Sequence, residues 1–139
     1  MRWFLLGVAM CVSLVTASWI VAAPDAKSGD RVFELRTYST HEGRLDALNA
    51  RFREHTNKLF VKHGMELVGY WTPANEPESK NTLVYILAYP SREAQEASWK
   101  AFRADPEWQA VKAKSEADGP IVERIVSQNL VPTDYSPIK

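Results

Sequence analysis

Eight consecutive residues, Thr82 to Tyr89 (TLVYILAY), carry no charge. β-branched, aromatic and other apolar side chains fill the run, and Pro90 stops it. A strand this apolar reads as central and buried on both faces. The chain therefore needs a sheet with material packed against each side.

The flanking segments supply that sheet. Arg31 to Tyr38 alternates, with Phe33, Leu35 and Thr37 on one face and Val32, Glu34, Arg36 and Tyr38 on the other. His41-Glu42-Gly43 makes a turn. Arg44 to His63 then reads as a long helix. Leu45, Leu48, Phe52, His55 and Leu59 recur every three or four residues and predict its inward stripe. Gly64 caps its end. Met65 to Thr72 is a second strand, and Pro73 to Asn81 is a polar loop leading into the central one. Ser91 is placed to cap a helix over Arg92 to Ala104. Asp105-Pro106 restarts a helix to about Glu116, with Asp as cap and Pro in the first turn. Ile121 to Val131 is a fourth strand, ended by Pro132.

The order β-α-β-β-α-β predicts an α+β, ferredoxin-like fold: an antiparallel four-stranded sheet with two helices on one face. Val68, Tyr70, Val84, Ile86, Val122 and Val126 alternate with Leu67, Trp71, Leu83, Tyr85, Leu87, Ile121 and Ile125. Both sheet faces are thus apolar, and the helices cover only one. A second copy of the chain is expected to cover the other, giving a sheet-to-sheet homodimer.

The N-terminal part has a different character. Arg2 precedes an uncharged stretch from Trp3 to Pro24, with small residues at Ala17, Ala22 and Ala23. Residues 1–23 are expected to be a secretory signal peptide, or an uncleaved membrane anchor, with export of the rest of the chain. Met10 before Cys11 does not fit a lipoprotein signal. Residues 24–30 (PDAKSGD) are a polar linker, and one domain occupies 31–139. The full chain has 17 basic and 17 acidic residues, and losing Arg2 leaves a slight acidic excess. That balance argues against nucleic-acid binding. Cys11 is the one cysteine, so an internal disulfide or a cysteine-based zinc site is excluded.

Some residues offer chemistry. His55, on the predicted inward stripe, is a candidate general base or ligand contact, or else a hydrogen-bonded core histidine. Glu34 and Arg36 sit two apart on one strand face. Arg36 suits a carboxylate clamp, and the plainer alternative is an ion pair that orders the strand or closes the dimer. Tyr38, Tyr70, Trp71, Tyr85 and Tyr89 are candidates to line an aromatic pocket, or to fill the core. His41 falls in a turn, His63 at a helix end, and Trp108 reads as a helix anchor. No histidine pair has the spacing that places two metal ligands on one helix face, so no metal is expected. Phosphate-binding and serine-hydrolase motifs are missing too, and no cofactor is expected.

Several pieces, taken in order, resemble the NIPSNAP family. They are Phe33-Glu34-Leu35-Arg36-Thr37-Tyr38, His55 with Lys62-His63-Gly64, Val68-Gly69-Tyr70-Trp71, Asp105-Pro106-Glu107-Trp108 and Pro132-Thr133-Asp134-Tyr135-Ser136-Pro137. The resemblance spans about Val32 to Pro137. It implies a dimeric α+β barrel with a cavity between sheet and helices in each subunit. The family has no defined reaction, so the first functional expectation is a module binding a small apolar or aromatic molecule or a protein. Relatives by fold imply an alternative, a cofactor-independent monooxygenase on a small aromatic substrate. His55 would then be its base, and Arg36 would stabilise a developing oxyanion. Haem-degrading relatives use a histidine on the second helix, and this chain has none after His63.

Overall fold

The computed structural model describes residues 31–139. The expected export segment at 1–23 and the linker at 24–30 lie outside the described residues. The chain runs through β1 (Val32–Thr40), α1 (Leu45–Arg51), a π-helical turn (Phe52–Thr56), α2 (Asn57–Lys62), β2 (Glu66–Trp71), β3 (Thr82–Tyr89), α3 (Arg92–Ala104), α4 (Pro106–Ser115) and β4 (Val122–Leu130). The four strands form an antiparallel sheet in the order β2-β3-β1-β4. This is the α+β, ferredoxin-like arrangement that the element order predicts, with the apolar strand β3 in the interior of the sheet.

The local signals act as their chemistry requires. Ser91 Oγ accepts from the Ala94 N–H at 3.2 Å, and Asp105 Oδ1 accepts from the Glu107 N–H at 2.8 Å. Pro106 occupies the first turn of α4, where a missing N–H costs nothing. Gly64 takes a left-handed φ of 79° after α2.

The register sorts the two sheet faces. Glu34, Arg36 and Tyr38 pair with Leu87, Tyr85 and Leu83, and this face packs under the helices. Leu48, Phe52, Leu59, Phe60, Tyr85 and Phe102 are central to the core.

Three expectations need correction. One is the face of Val122, which a register shift against β1 pairs with Thr40 on the helix side, away from Val126 on the outer face. Another is the helix stripe. Leu45, Leu48, Phe52 and Leu59 are buried, but Thr56 is buried where the spacing predicts His55. The cause is the π turn: the Asn57 N–H bonds to Phe52 O, five residues back. This wider turn brings Thr56 inward and leaves His55 exposed, with its side chain 47% accessible.

The third is strict alternation in β2. Leu67 pairs with Leu87, yet Gly69, not Val68, pairs with Ile86, so one residue is inserted. The bulge places Tyr70 opposite Tyr85 on the helix side and Trp71 opposite Val84 on the outer side. There the indole lies over Gly69. A Cβ at that glycine would stand 2.6 Å from the Trp71 ring.

The outer face is apolar, as expected, but the chain covers part of it. After β4 the tail returns across the end of the sheet, so that Val131, Pro132, Ser136 and Ile138 line an open cleft of about 360 Å³ with Phe33, Val68 and Ile86. Arg31 Nη1 donates to the Lys139 carbonyl at 2.5 Å. One transverse row, Trp71–Val84–Thr37–Val126, spans all four strands away from this cleft. Trp71 at its edge is 53% exposed.

Candidate functional site

The inner face carries a buried charge centre. Glu34 is 3% exposed, and its carboxylate accepts five hydrogen bonds. Oε1 receives Arg36 Nη1 at 2.6 Å and Ser127 Oγ at 2.7 Å. Oε2 receives Trp99 Nε1 at 2.7 Å, Tyr89 OH at 2.8 Å and Gln95 Nε2 at 3.0 Å. Gln95 also donates to Asn129 Oδ1 at 2.8 Å. The donors come from β1, β3, β4 and α3, so one carboxylate joins three strands to a helix. Burial by itself would raise the Glu34 pKa. The bonds from Ser127, Gln95, Trp99 and Arg36 outweigh it and lower the carboxyl from an ordinary 4.5 to about 2.

Arg36 completes the centre. Its guanidinium lies over the Trp99 ring, 4.3 Å from the centroid, and Nη2 donates to Tyr38 OH at 3.3 Å. Burial works to lower its pKa, but Tyr38, Tyr85 and Glu34 push it upward, so it remains a cation. Burial raises the Tyr85 phenol well above its usual value, and that phenol stays neutral. The ion pair anticipated at Glu34 and Arg36 is therefore present on the helix side of β1.

Above this centre, between sheet and helices, lies a cavity of about 560 Å³. Tyr38, Phe52, Phe60, Trp99, Phe102 and Trp108 form its aromatic walls, with Arg36 and Arg51 among the lining charges. The walls interlock: Phe60 and Phe102 have centroids 4.8 Å apart, and Phe102 and Trp108 4.5 Å apart. Trp108 thus anchors α4 and lines the cavity as well. The volume falls within the range of small-molecule sites, and the lining mixes aromatic with charged side chains.

The structure divides the residues singled out from sequence. Arg36 and Tyr38 line the cavity. Tyr85 is fully buried in the core beside it, and Tyr89 supports Glu34. Tyr70 stacks on Tyr85 at 5.3 Å but lines a separate cavity of about 240 Å³ with Asn57. Trp71 is on the opposite face of the sheet. His55 is on the outer surface, in a groove against α4 with Ala110, Val111 and Lys114, outside the aromatic lining. His63 Nε2 lies 2.7 Å from Asp105 Oδ2, and Lys62 Nζ donates to the same oxygen at 2.8 Å. Two segments far apart in sequence, Lys62-His63-Gly64 and Asp105-Pro106-Glu107-Trp108, therefore meet. Lys62 and His63 hold the Asp105 carboxyl well below its ordinary range. Among the described residues, no three His, Cys, Asp or Glu side chains group to hold a metal ion.

Sequence reasoning missed Arg51, Gln95, Trp99 and Ser127. A signal existed for α3. Gln95, Trp99 and Phe102 recur at helical spacing, and a glutamine on an inward stripe marks a buried polar partner.

Known structures share the fold. The chain is similar to a NIPSNAP-like domain protein from Burkholderia xenovorans, with 22% identity, a TM-score of 0.68, and coverage of 78% of this chain and 90% of that one. It is similar to a NIPSNAP family protein of unknown function from Agrobacterium tumefaciens, with 23% identity, a TM-score of 0.68, and 80% and 96% covered. SnoaB, a cofactor-independent oxygenase from Streptomyces nogalater, aligns at a TM-score of 0.50 with 14% identity, over 78% and 98% of the chains. No curated protein matches. A family model for NIPSNAP matches residues 33–137, and the chain belongs to the NIPSNAP family.

Proposed function

We propose that this NIPSNAP protein is an exported homodimeric binding module whose cavity takes a small apolar or aromatic molecule. The observation that carries the reading is the cavity of about 560 Å³ walled by six aromatic side chains. Export is supported by the uncharged stretch after Arg2. The dimer is supported by the apolar row Trp71–Val84–Thr37–Val126 on the outer face of the sheet. Native mass spectrometry of protein purified from its own host tests the binding reading. A copurifying small molecule supports it, and a clean protein that also takes up no aromatic probe defeats it.

A second reading, a cofactor-independent oxygenase, is favoured by the fold shared with SnoaB and by the position of Arg36 in the lining. Its sequence-based base, His55, stands outside that lining. Oxygen uptake on adding the copurified molecule would support this reading, and unchanged oxygen with unaltered ligand would remove it.

A further inference from the structure

Aromatic walls describe one part of a ligand, and the charges in the same cavity describe another. Two arginines enter the lining from opposite layers, half-buried Arg36 from β1 and buried Arg51 from α1. The Arg51 side chain is only 4% exposed. Both guanidinium groups are incompletely paired. Arg36 donates to Glu34 and Tyr38. Arg51 donates from Nη1 to Ser115 Oγ at 3.2 Å and to Glu116 Oε1 at 3.0 Å. The Nε–H of each has no partner among the described residues. Both Nε atoms are shut in by the protein, so a ligand in the cavity would meet the Nη groups of the two guanidiniums. Arg44 Nε is also unpaired, but it lies outside this lining, where Arg44 Nη2 is held by the Ser115 and Gly119 carbonyls.

The remaining charges point the same way. Arg103, Lys112 and Arg124 join the two arginines around the cavity, against Glu116 and Glu123. Glu116 is already engaged by Arg51 and Lys112. Glu34, behind Arg36, has its oxygens occupied by five donors. The lining is thus cationic, with Arg103, Lys112 and Arg124 exposed to solvent and Arg51 the buried charge, where a charge-assisted hydrogen bond is strongest. The π turn begins next to Arg51 and contributes Phe52 and Thr56 to the same cavity. Thr56 Oγ donates to the Arg51 carbonyl at 3.2 Å, which fixes the backbone that carries this guanidinium.

We propose that the ligand is an aromatic or apolar acid, with its ring against the aromatic walls and its carboxylate paired with Arg36 and Arg51. This inference rests on the cavity-binding reading and narrows it to one ligand class. A guanidinium receives a planar carboxylate better than any other side chain does.

The test is calorimetric titration of the purified protein with 2-naphthoate and with its neutral isostere 2-naphthamide, at low and at high salt. The acid is expected to bind roughly tenfold more tightly than the amide, the size of one charge-assisted hydrogen bond. Arg51→Met, which keeps an apolar stem in place and leaves Arg36, is expected to reduce the preference for the acid severalfold. Equal binding of the two probes by the unaltered protein, or tighter binding of the amide, overturns the acid class and leaves the cavity reading standing. An undiminished preference in folded Arg51→Met overturns the role of Arg51. If neither probe binds, both the cavity reading and the acid class fall. The comparison on the unaltered protein decides the matter even if Arg51→Met does not fold.

Discussion

The Trp99 indole of α3 donates to Glu34 Oε2 on β1 at 2.7 Å, while its ring carries the Arg36 guanidinium 4.3 Å from its centroid. One side chain thus contacts both members of a buried ion pair. It ties the helix layer to the sheet at the floor of the aromatic cavity. Structural and cavity-lining roles share the same atoms here, because Arg36 lines the cavity while its charge is balanced from behind.

Glu34→Gln removes that balance with almost no change of shape. The Arg36 cation would remain buried without its counter-charge, and the new amide would point an NH₂ at groups that are themselves donors. Breaking one partner of a buried pair costs about 3–5 kcal/mol. The expected outcome is a loss of that order in the unfolding free energy from urea titration. A loss below about 1 kcal/mol would show that the centre contributes little to the fold.

Acid should destabilise the domain through the same group. Glu34 is lowered from 4.5 to about 2 in the folded chain, so the unfolded state binds its proton first. Its contribution is complete above about pH 4.5 and is lost as the pH falls toward 2. The difference corresponds to about 3 kcal/mol. Asp105, also held low, acts in the same direction. Urea midpoints measured between pH 6 and pH 2 should fall steeply below about 4.5. Glu34→Gln should flatten that fall.

His55→Ala should change little. The side chain is exposed and lies outside the aromatic lining. Stability is expected to stay within about 0.5 kcal/mol, with naphthoate affinity unaltered. A large loss of ligand affinity in a folded variant would restore His55 as a site residue.

Asp105 holds two elements at once. One oxygen caps α4 through the Glu107 N–H, and the other takes Lys62 and His63 at the end of α2. Asp105→Ala removes both functions. Asp105→Asn keeps a competent cap and loses the charge pairing. Thermal melts should therefore rank the native chain above Asn and Asn above Ala. Equal melting temperatures for the two variants would mean that the cap contributes nothing.

Trp71→Lys and Val126→Lys place charges on the outer row of the sheet without entering the core. If a second copy packs there, each should halve the mass seen by light scattering while leaving circular dichroism unaltered. A native chain that scatters as a monomer at micromolar concentration would remove the dimer.

The sheet and helices were legible because their signals are local. An uncharged β-rich run, a cap before each of the last two helices, Gly64 after α2 and Pro132 after β4 act within a few residues of themselves. The element order then left one economical topology. The misplaced residues trace to interruptions of the repeat, among them a register shift in β4 that turns Val122 inward. The π turn exchanged His55 for Thr56, and the bulge in β2 exchanged the faces of Tyr70 and Trp71. Periodicity presumes an uninterrupted repeat, so one extra residue reverses every inference about which side chain faces inward.

Sequence by itself determined the strand and helix order, the apolar character of both sheet faces, the family resemblance and the closeness of Glu34 to Arg36, since two residues apart on a strand must share a face. Tertiary structure alone decided that this face meets the helices. It also brought Gln95, Trp99, Ser127 and Tyr89 to one carboxylate, and Arg51 to the cavity that Arg36 lines. Those partners stand 55 to 93 residues from Glu34 along the chain. Their meeting depends on how the layers pack, because a buried carboxylate takes its donors from whichever elements surround it.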